Sequence, residues 1–366
     1  MEFTIGRDEL FKGLQRAQGV VSAKGPMPIL ANVLIEAHET GINIFATNLD
    51  MGLLGAYEGQ VKSPGKITVQ AKKLHDIARE LPSEDITIKT DDDGRLRISC
   101  GKAKFNLATI SADEFPAFPK YEDSNFIKLD SAMISEMIAK TSYAISQDET
   151  RLTLNGAYFE VGPTNTLMVA TDGHRLAYIN REGAFKVSEP VKSIIARKAI
   201  VELSKLIGDD SDPVEFLKQD NHVVFKKGSL VMVARLIEGA YPNYEQVIPK
   251  SHTHEISIDI SDFKVALRKV SVLADEKSHM IRLDFSEGKL ELISEGGELG
   301  EARDEAPIEY SGEGLVVGLN AYYLLDLLNI MPQKKVIIKT QDALSPVLAQ
   351  APGDDSLLCI VMPMRL

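Results

Sequence analysis

The chain holds two cysteines in 366 residues, Cys100 and Cys359, far apart and each inside a strand-like run. So few argue against a disulfide-stapled scaffold or a cysteine-ligated metal centre and leave both thiols as small buried hydrophobes. Long apolar runs are missing too: none approaches the ~18 residues that a membrane span needs. The opening Met1-Glu2-Phe3-Thr4-Ile5 lacks the basic-then-apolar order of an export signal, so a soluble, cytoplasmic protein without a membrane partner is expected. Positive charge is in deficit, with a formal net charge of -12. A uniformly basic nucleic-acid binder is thereby excluded, but a locally basic surface is not. There is no Gly-x-x-x-x-Gly-Lys-Ser/Thr loop, no Gly-x-Ser-x-Gly elbow and no His-Glu-x-x-His, which removes the usual phosphate-loop, hydrolase and zinc-protease chemistries. His252-Thr253-His254 has a spacing that some metal sites use. With no cysteine or carboxylate partners at recognisable intervals it reads as exposed loop, and no metal or cofactor is expected.

What the sequence does contain is one pattern written three times. A short strand leads into an amphipathic helix at 8–20, 131–143 and 262–273, with stripes such as Leu10, Phe11, Leu14, Ala17 and Phe263, Ala266, Leu267, Val270 at helical period. Asp8, Asp130 or Ser131, and Ser261 stand where N-caps belong. Alternating strands follow, then a second helix at 71–81, 197–207 and 320–331, then a closing hairpin and a last strand. The spacing predicts an α+β protein of three repeated two-helix, antiparallel-sheet domains, 1–120, 126–250 and 254–366. Each would place both helices on one face of a longer sheet.

The stretch 170–177, Ala-Thr-Asp-Gly-His-Arg-Leu-Ala, sets four polar or charged groups and a glycine between two apolar runs. Asp172-Gly173 is turn chemistry that fixes His174 and Arg175 at a bend. Phe45-Ala46-Thr47-Asn48-Leu49-Asp50 is its degenerate copy, since Ala170 lies 124 positions after Ala46.

Outward helix faces carry Lys12, Arg16, Lys72, Arg79, Arg197, Lys198, Lys205, Lys264, Arg268 and Lys269, a slight basic excess in an acidic chain. An open array of sheets has two edges to cover. The first end offers Lys102, Lys104, Phe105 and Leu107; the last offers Val272 and Leu273 beside Glu298 and Glu301. Head-to-tail pairing of such ends in two chains gives six domains and twelve inward helices. At ~10 Å per helix the lumen is roughly 30 Å wide, which admits a duplex.

Four stretches then carry a resemblance that runs over the whole chain: 170–177, Leu154-Asn155-Gly156, Tyr241-Pro242-Asn243-Tyr244 followed by Val247-Ile248-Pro249, and the terminal Met362-Pro363-Met364-Arg365-Leu366. In these the chain resembles the bacterial sliding-clamp family, the β subunits of DNA polymerase III. The resemblance implies a non-catalytic homodimeric ring around double-stranded DNA, bound without sequence preference. Its implied partners are the DNA polymerase III α subunit, the clamp loader and other clamp-motif proteins. It implies a partner-peptide pocket of Leu154, Thr171, Gly173, His174, Arg175, Leu176, Pro242, Val247, Pro346, Val361, Met362, Pro363, Met364 and Arg365, where apolar and flexible side chains accept varied motifs and His174 and Arg175 orient the peptide's polar parts. DNA contacts are expected from Lys24, Lys72, Lys73, Arg79, Arg151, Arg197, Lys198, Lys205, Lys264 and Arg268. The chain departs from the pattern in two places. Leu152 and Thr153 follow Arg151 where some members have an aromatic pair near single-stranded DNA, and Gln246 replaces an arginine of some members at the pocket rim.

Two other readings compete. Asp172, His174 and Arg175 with Asp148 or Glu149 can be drawn as the acid/base cluster of an enzyme. A three-domain adaptor that binds short peptide motifs without forming a ring would stay monomeric at every concentration.

Overall fold

The computed structural model describes residues 1–366 apart from 23–25, 92, 209 and 296–299. Among the described residues the order strand, helix, four strands, helix, three strands recurs three times, with short additional strands in the first repeat at Gln60–Ser63 and Thr109–Ile110. The helices are α1 (Arg7–Gln18), α2 (Ala71–Glu80), α3 (Ser131–Thr141), α4 (Arg197–Ile207), α5 (Ile260–Val270) and α6 (Ala321–Ile330). Their apolar stripes are buried as the periodicity predicts: Leu10, Leu14 and Ala17 in α1, and Phe263, Ala266, Leu267 and Val270 in α5. Phe11 is only half-buried and stacks on His75, with ring centroids 4.9 Å apart.

The helix starts differ from the sequence reading in two places. α1 begins behind Gly6 with no side-chain cap. Arg7 at its start donates to the carbonyls of Ala78, Arg79 and Leu81 at the end of α2, where the helix dipole favours a cation. Asp8, expected as the cap, instead accepts from Ser83 at 2.6 Å and from Arg7. In α5 the cap is Asp259, not Ser261; its carboxylate accepts from the N–H groups of Ser261 and Asp262. Asp130 does cap α3, accepting from Met133 N–H at 2.7 Å. Two helices end sooner than expected, because Ser142–Ala144 and Ser271–Leu273 tighten into single 3₁₀ turns.

One longer sheet per repeat is also not what forms. The strands of each repeat divide into two four-stranded halves, and it is the halves of neighbouring repeats that join; in the third repeat the two halves also touch, where Ser257 and Ile258 pair with Glu309 and Ile308. Met51–Tyr57 of the first repeat pairs with Leu230–Arg235, the last strand of the second. Arg175–Glu182 of the second pairs with Leu357–Val361, the last strand of the third. The chain accordingly makes two compact units, Met1–Ser135 with Lys198–Leu236, and Glu136–Arg197 with Ile237–Leu366. The first holds a five- and a nine-stranded sheet, the second a twelve-stranded one. Phe3, Phe216 and Phe225 are fully buried in the first unit, and Phe159, Phe263 and Phe285 in the second.

Candidate functional site

The stretch 170–177 forms a tight turn between the antiparallel strands Asn165–Thr171 and Arg175–Glu182. Gly173 has φ 89°, a backbone region that glycine enters without steric cost. Thr171 Oγ1 donates to the Arg175 carbonyl at 2.6 Å and accepts from Gly173 N–H at 3.1 Å. One Asp172 carboxylate oxygen accepts from the N–H groups of His174 and Arg175, at 2.9 and 3.0 Å. The carboxylate is therefore committed to the turn and to the Arg175 Nε at 3.1 Å.

Arg175 is equally committed. Its guanidinium donates to Asp326 at 2.5 Å and to the Tyr143 carbonyl at 2.7 Å, and lies 4.5 Å from the Tyr323 ring centroid. It ties the turn to α6 and to the 3₁₀ turn after α3, because a fork of donors meets acceptors on three sides. His174 is the exposed group of the turn, with its ring 6.5 Å from that of Tyr323. Beneath lies Tyr143, whose phenol burial pushes up, beside Cys359, whose thiol burial pushes up to about 12. Cys100 and Cys359 are both buried and free.

The C-terminal tail reaches this turn and then leaves it. Val361 pairs with Arg175, and Met362 N–H donates to the His174 carbonyl at 2.8 Å. Met364 N–H then donates to Gly318 at 2.8 Å, on the strand Leu315–Asn320 of the third repeat. A Cβ on Gly318 would stand 2.8 Å from the Met364 carbonyl oxygen and 3.0 Å from Leu366, so the glycine makes room for the tail. Val361 and Met362 thus border the turn, while Met364 and Leu366 lie on the third repeat's own sheet. Pro346 precedes Val347, which pairs with Val361.

Of the other pocket residues, Leu176 and Val247 belong to one apolar cluster with Leu167, Val169, Leu348 and Ile360. Pro242 lines a cleft of about 700 Å³ beside it. Leu154 is half-buried in a 3₁₀ turn, and Arg151 just before it donates to the Asp172 carbonyl at 3.0 Å. Arg151, expected at DNA, therefore also braces the turn. Sequence reasoning missed Tyr158, Tyr178 and Leu358 as walls of the cleft. Their alternation with buried neighbours was the available signal, but period two does not say which sheet face meets a ligand.

The strand behind the turn is clamped to α3. Arg181 grips Glu136 with two hydrogen bonds of 2.9 and 2.8 Å, and Lys140 adds a third of 2.7 Å. The Arg181 guanidinium holds Glu136 down at about 2. A depressed carboxylate contributes stability that is present above its unfolded value near 4.5 and lost as pH falls through about 2. Glu136→Gln should cost about 1–2 kcal/mol at pH 7, less than the full shift because solvent reaches the pair. Urea unfolding at pH 7 and at pH 2.5 checks this: the gap between the two proteins must narrow at the lower pH.

Among the expected DNA contacts, Lys72, Lys73, Arg79, Lys198, Lys205 and Arg268 are exposed, and Arg197 and Lys264 half-buried. Arg79 pairs with Asp76 and Glu80, and Lys205 with Glu202, which offsets part of their charge. Lys24 lies outside the described residues. At the proposed chain ends Lys102 and Lys104 are exposed, Phe105, Leu107 and Leu273 half-buried, and Val272 exposed. Glu301 pairs with Arg303, and Glu298 lies outside the described residues. His252 meets Glu255 at 3.0 Å and His254 meets the Tyr310 hydroxyl at 2.6 Å. The second histidine thus begins the strand His254–Asp259 and does not sit in an exposed loop.

Family models of the DNA polymerase III beta subunit match the chain in succession: the N-terminal domain over 1–119, the central domain over 128–243 and the C-terminal domain over 245–365. The chain is 33% identical to the beta sliding clamp of Pseudomonas putida and 34% identical to that of Caulobacter vibrioides, over the full length of both partners in each case. Its fold superposes on the crystal structure of the Pseudomonas aeruginosa DNA polymerase III subunit beta with a TM-score of 0.96, 32% identity and full coverage of both chains. A Pseudomonas aeruginosa sliding clamp bound to griselimycin superposes at 0.95, again with 32% identity and full coverage.

Proposed function

The chain belongs to the DNA polymerase III beta subunit family and serves as a DNA sliding clamp, and on that premise we propose that it acts in the cytoplasm as a non-catalytic homodimeric ring. The ring encloses duplex DNA and tethers the polymerase α subunit, the clamp loader and other motif-bearing proteins. One observation carries the ring. Twice within the chain, the fourth strand of one repeat pairs with the last strand of the next. By the same rule Glu301–Glu309, whose outer side is bonded only at Ile308 and Glu309, to Ile258 and Ser257, needs a last strand along 301–307 that the chain does not supply, and Ala103–Leu107 is a last strand bonded on one side only, to Leu96–Cys100. Two chains satisfy each other. Lys102 and Lys104 on one edge would repel their own copies, while the other edge carries Glu301, Asp304 and Glu305 against Arg303, with Asp304 and Glu305 already bonded to Lys269 and Lys289, so the charges favour this pairing over self-pairing of the lysine edge.

DNA is held by topology more than by affinity. The exposed lysines and arginines on the helices contact phosphates, without reading bases, and their pull fades with salt. The domains 1–120, 126–250 and 254–366 are the repeating elements of the ring. Partner motifs dock where Leu176, Val247, Pro242 and Met362 adjoin. Clamp loaded by an ATP-driven loader should persist on nicked circular DNA after a gel-filtration step in 0.5 M salt and slide off once the circle is linearised. Equal retention on both forms would remove the ring.

A further inference from the structure

The first and second repeats contain the same cleft, built by equivalent residues and differently furnished. In the first repeat the row Leu34, Phe45, Leu54, Val231 crosses the sheet; in the second the row is Tyr158, Val169, Tyr178, Leu358. The segment after each repeat lays two rings over its row: Phe115 and Phe118 in one case, Tyr241 and Tyr244 in the other. Even the turn beside it is copied. Thr47 and Asn48 make the bonds of Thr171 and Asp172, and Arg235 N–H donates to Asp50 as Met362 N–H does to His174.

The first repeat is therefore an internal control for what docking that segment requires. Apolar rings suffice: Phe45 makes edge contacts with Phe115 and Phe118, at centroid distances of 5.3 and 5.0 Å. In the second repeat Val169 replaces the central Phe45, and the cleft widens from about 410 to about 700 Å³. Four walls that are Leu or Phe in the first repeat are all tyrosine in the second. Tyr244 stands 5.9 Å from Tyr158 and 6.1 Å from Tyr178. Glu245 and Asp355 join the rim, and together with Glu160 they set three carboxylates against one lysine, Lys192. The first cleft has its own cross-strand pair of Glu36 with Lys66, matching Glu160 with Lys192, and its own Asp113, so what the second adds is four tyrosines, Glu245 and Asp355, and these are not needed to dock the chain's own segment.

We propose that this tyrosine-walled cleft is a cation subsite, which takes a lysine or arginine side chain flanking the apolar motif of a bound partner. Electron-rich ring faces and carboxylates at an open mouth are the chemistry that holds an ammonium or guanidinium group. The negative field is felt within the cleft, since Glu245 and Glu160 add to the burial that raises the Tyr244 phenol to about 12. The subsite rests on the peptide-pocket reading. Pro242 and the apolar cluster of Leu176 and Val247 adjoin both, so one extended peptide spans them.

Calorimetry on the full chain with an apolar motif peptide tests it, the peptide carrying arginine or the isosteric, uncharged citrulline on either flank. One arginine peptide should bind about 5- to 10-fold more tightly than its citrulline twin. Glu245→Gln with Asp355→Asn should remove most of that advantage while leaving the citrulline peptide unchanged, and separately Tyr178→Leu with Tyr244→Phe, which install the first repeat's residues, should bring the affinities of the two peptides together. Equal affinity for both peptides, or an advantage that survives both variants, overturns the subsite and spares the pocket. No binding of any peptide to the unaltered chain overturns the pocket and the subsite together.

Discussion

A chain carrying both Leu107→Ala and Leu273→Ala will sediment as a monomer at concentrations where the unaltered chain is a dimer. Both leucines are half-buried in the isolated chain, so each has apolar surface left to cover on association. A closed ring of two chains has two equivalent junctions, and the double substitution removes four leucine side chains from them. At about 1 kcal/mol for each partly covered leucine, the loss is about 4 kcal/mol, or roughly a 10³-fold weaker dimer. The fold should survive, because neither residue belongs to the fully buried core of its unit. Analytical ultracentrifugation from nanomolar to micromolar concentration reads the result directly. An unchanged dimer would place the junction elsewhere and leave the edges of Ala103–Leu107 and of 301–307 without their partners. Salt gives a second reading of the same junction. Lysines on one edge opposite carboxylates on the other predict faster dissociation at high ionic strength, as expected for exposed charges within a Debye length.

Deletion of 362–366 should reduce the affinity of a polymerase-type motif peptide at least 100-fold while the protein stays folded and dimeric. The last strand, Leu357–Val361, keeps its bonding to Arg175–Ile179 on one side and Val347–Ala349 on the other, so the sheet does not depend on the residues beyond it. What is lost is Met362, held over the turn by its N–H bond to His174, together with the anchoring of the tail at Gly318. Met362 is 37% exposed, an apolar and flexible wall that a peptide can cover. A shorter deletion separates the two parts of the tail. Removing only 365–366 spares Met362 and the Met364 bond to Gly318, and should cost less than 10-fold. Calorimetry with the same peptide on both truncations decides it, and full affinity after deletion of 362–366 would take the tail out of the site.

The turn at 170–177 shows how far sequence reaches into the site. Asp-Gly chemistry identified a bend, and the copy at 45–50 identified it as part of a repeat. The role of Arg175 was not legible there. An arginine after a histidine in a polar turn reads as a binding group, and only the arrival of Asp326 and the Tyr143 carbonyl adds the role of an internal tie. Asp326 lies 151 positions away, and no local pattern announces such a partner. The tail divides in the same way. Its apolar ending pointed to a docked segment, and it is docked, but Met362 adjoins the turn of the second repeat whereas Met364 and Leu366 rest on the third.

By itself the sequence determined the number of repeats, the order of strands and helices within each, and the buried stripes of the helices, because these follow from periodicities of two and 3.6 residues that a few neighbouring side chains fix. It also located the start of α3 at Asp130 or Ser131 and the bend at Asp172, where one side chain reaches its own backbone, though not the cap of α5 at Asp259. Tertiary structure alone decided that each repeat splits into two sheet halves, that those halves join across repeats, and that Tyr158, Tyr178 and Tyr244 enclose a wider cleft than Leu34, Leu54 and Phe118 do. The physical reason is register. Which strand lies beside which, and at what offset, is chosen by summed burial and hydrogen bonding over segments more than a hundred residues apart. Alternation along one strand is compatible with many such neighbours until the chain has folded.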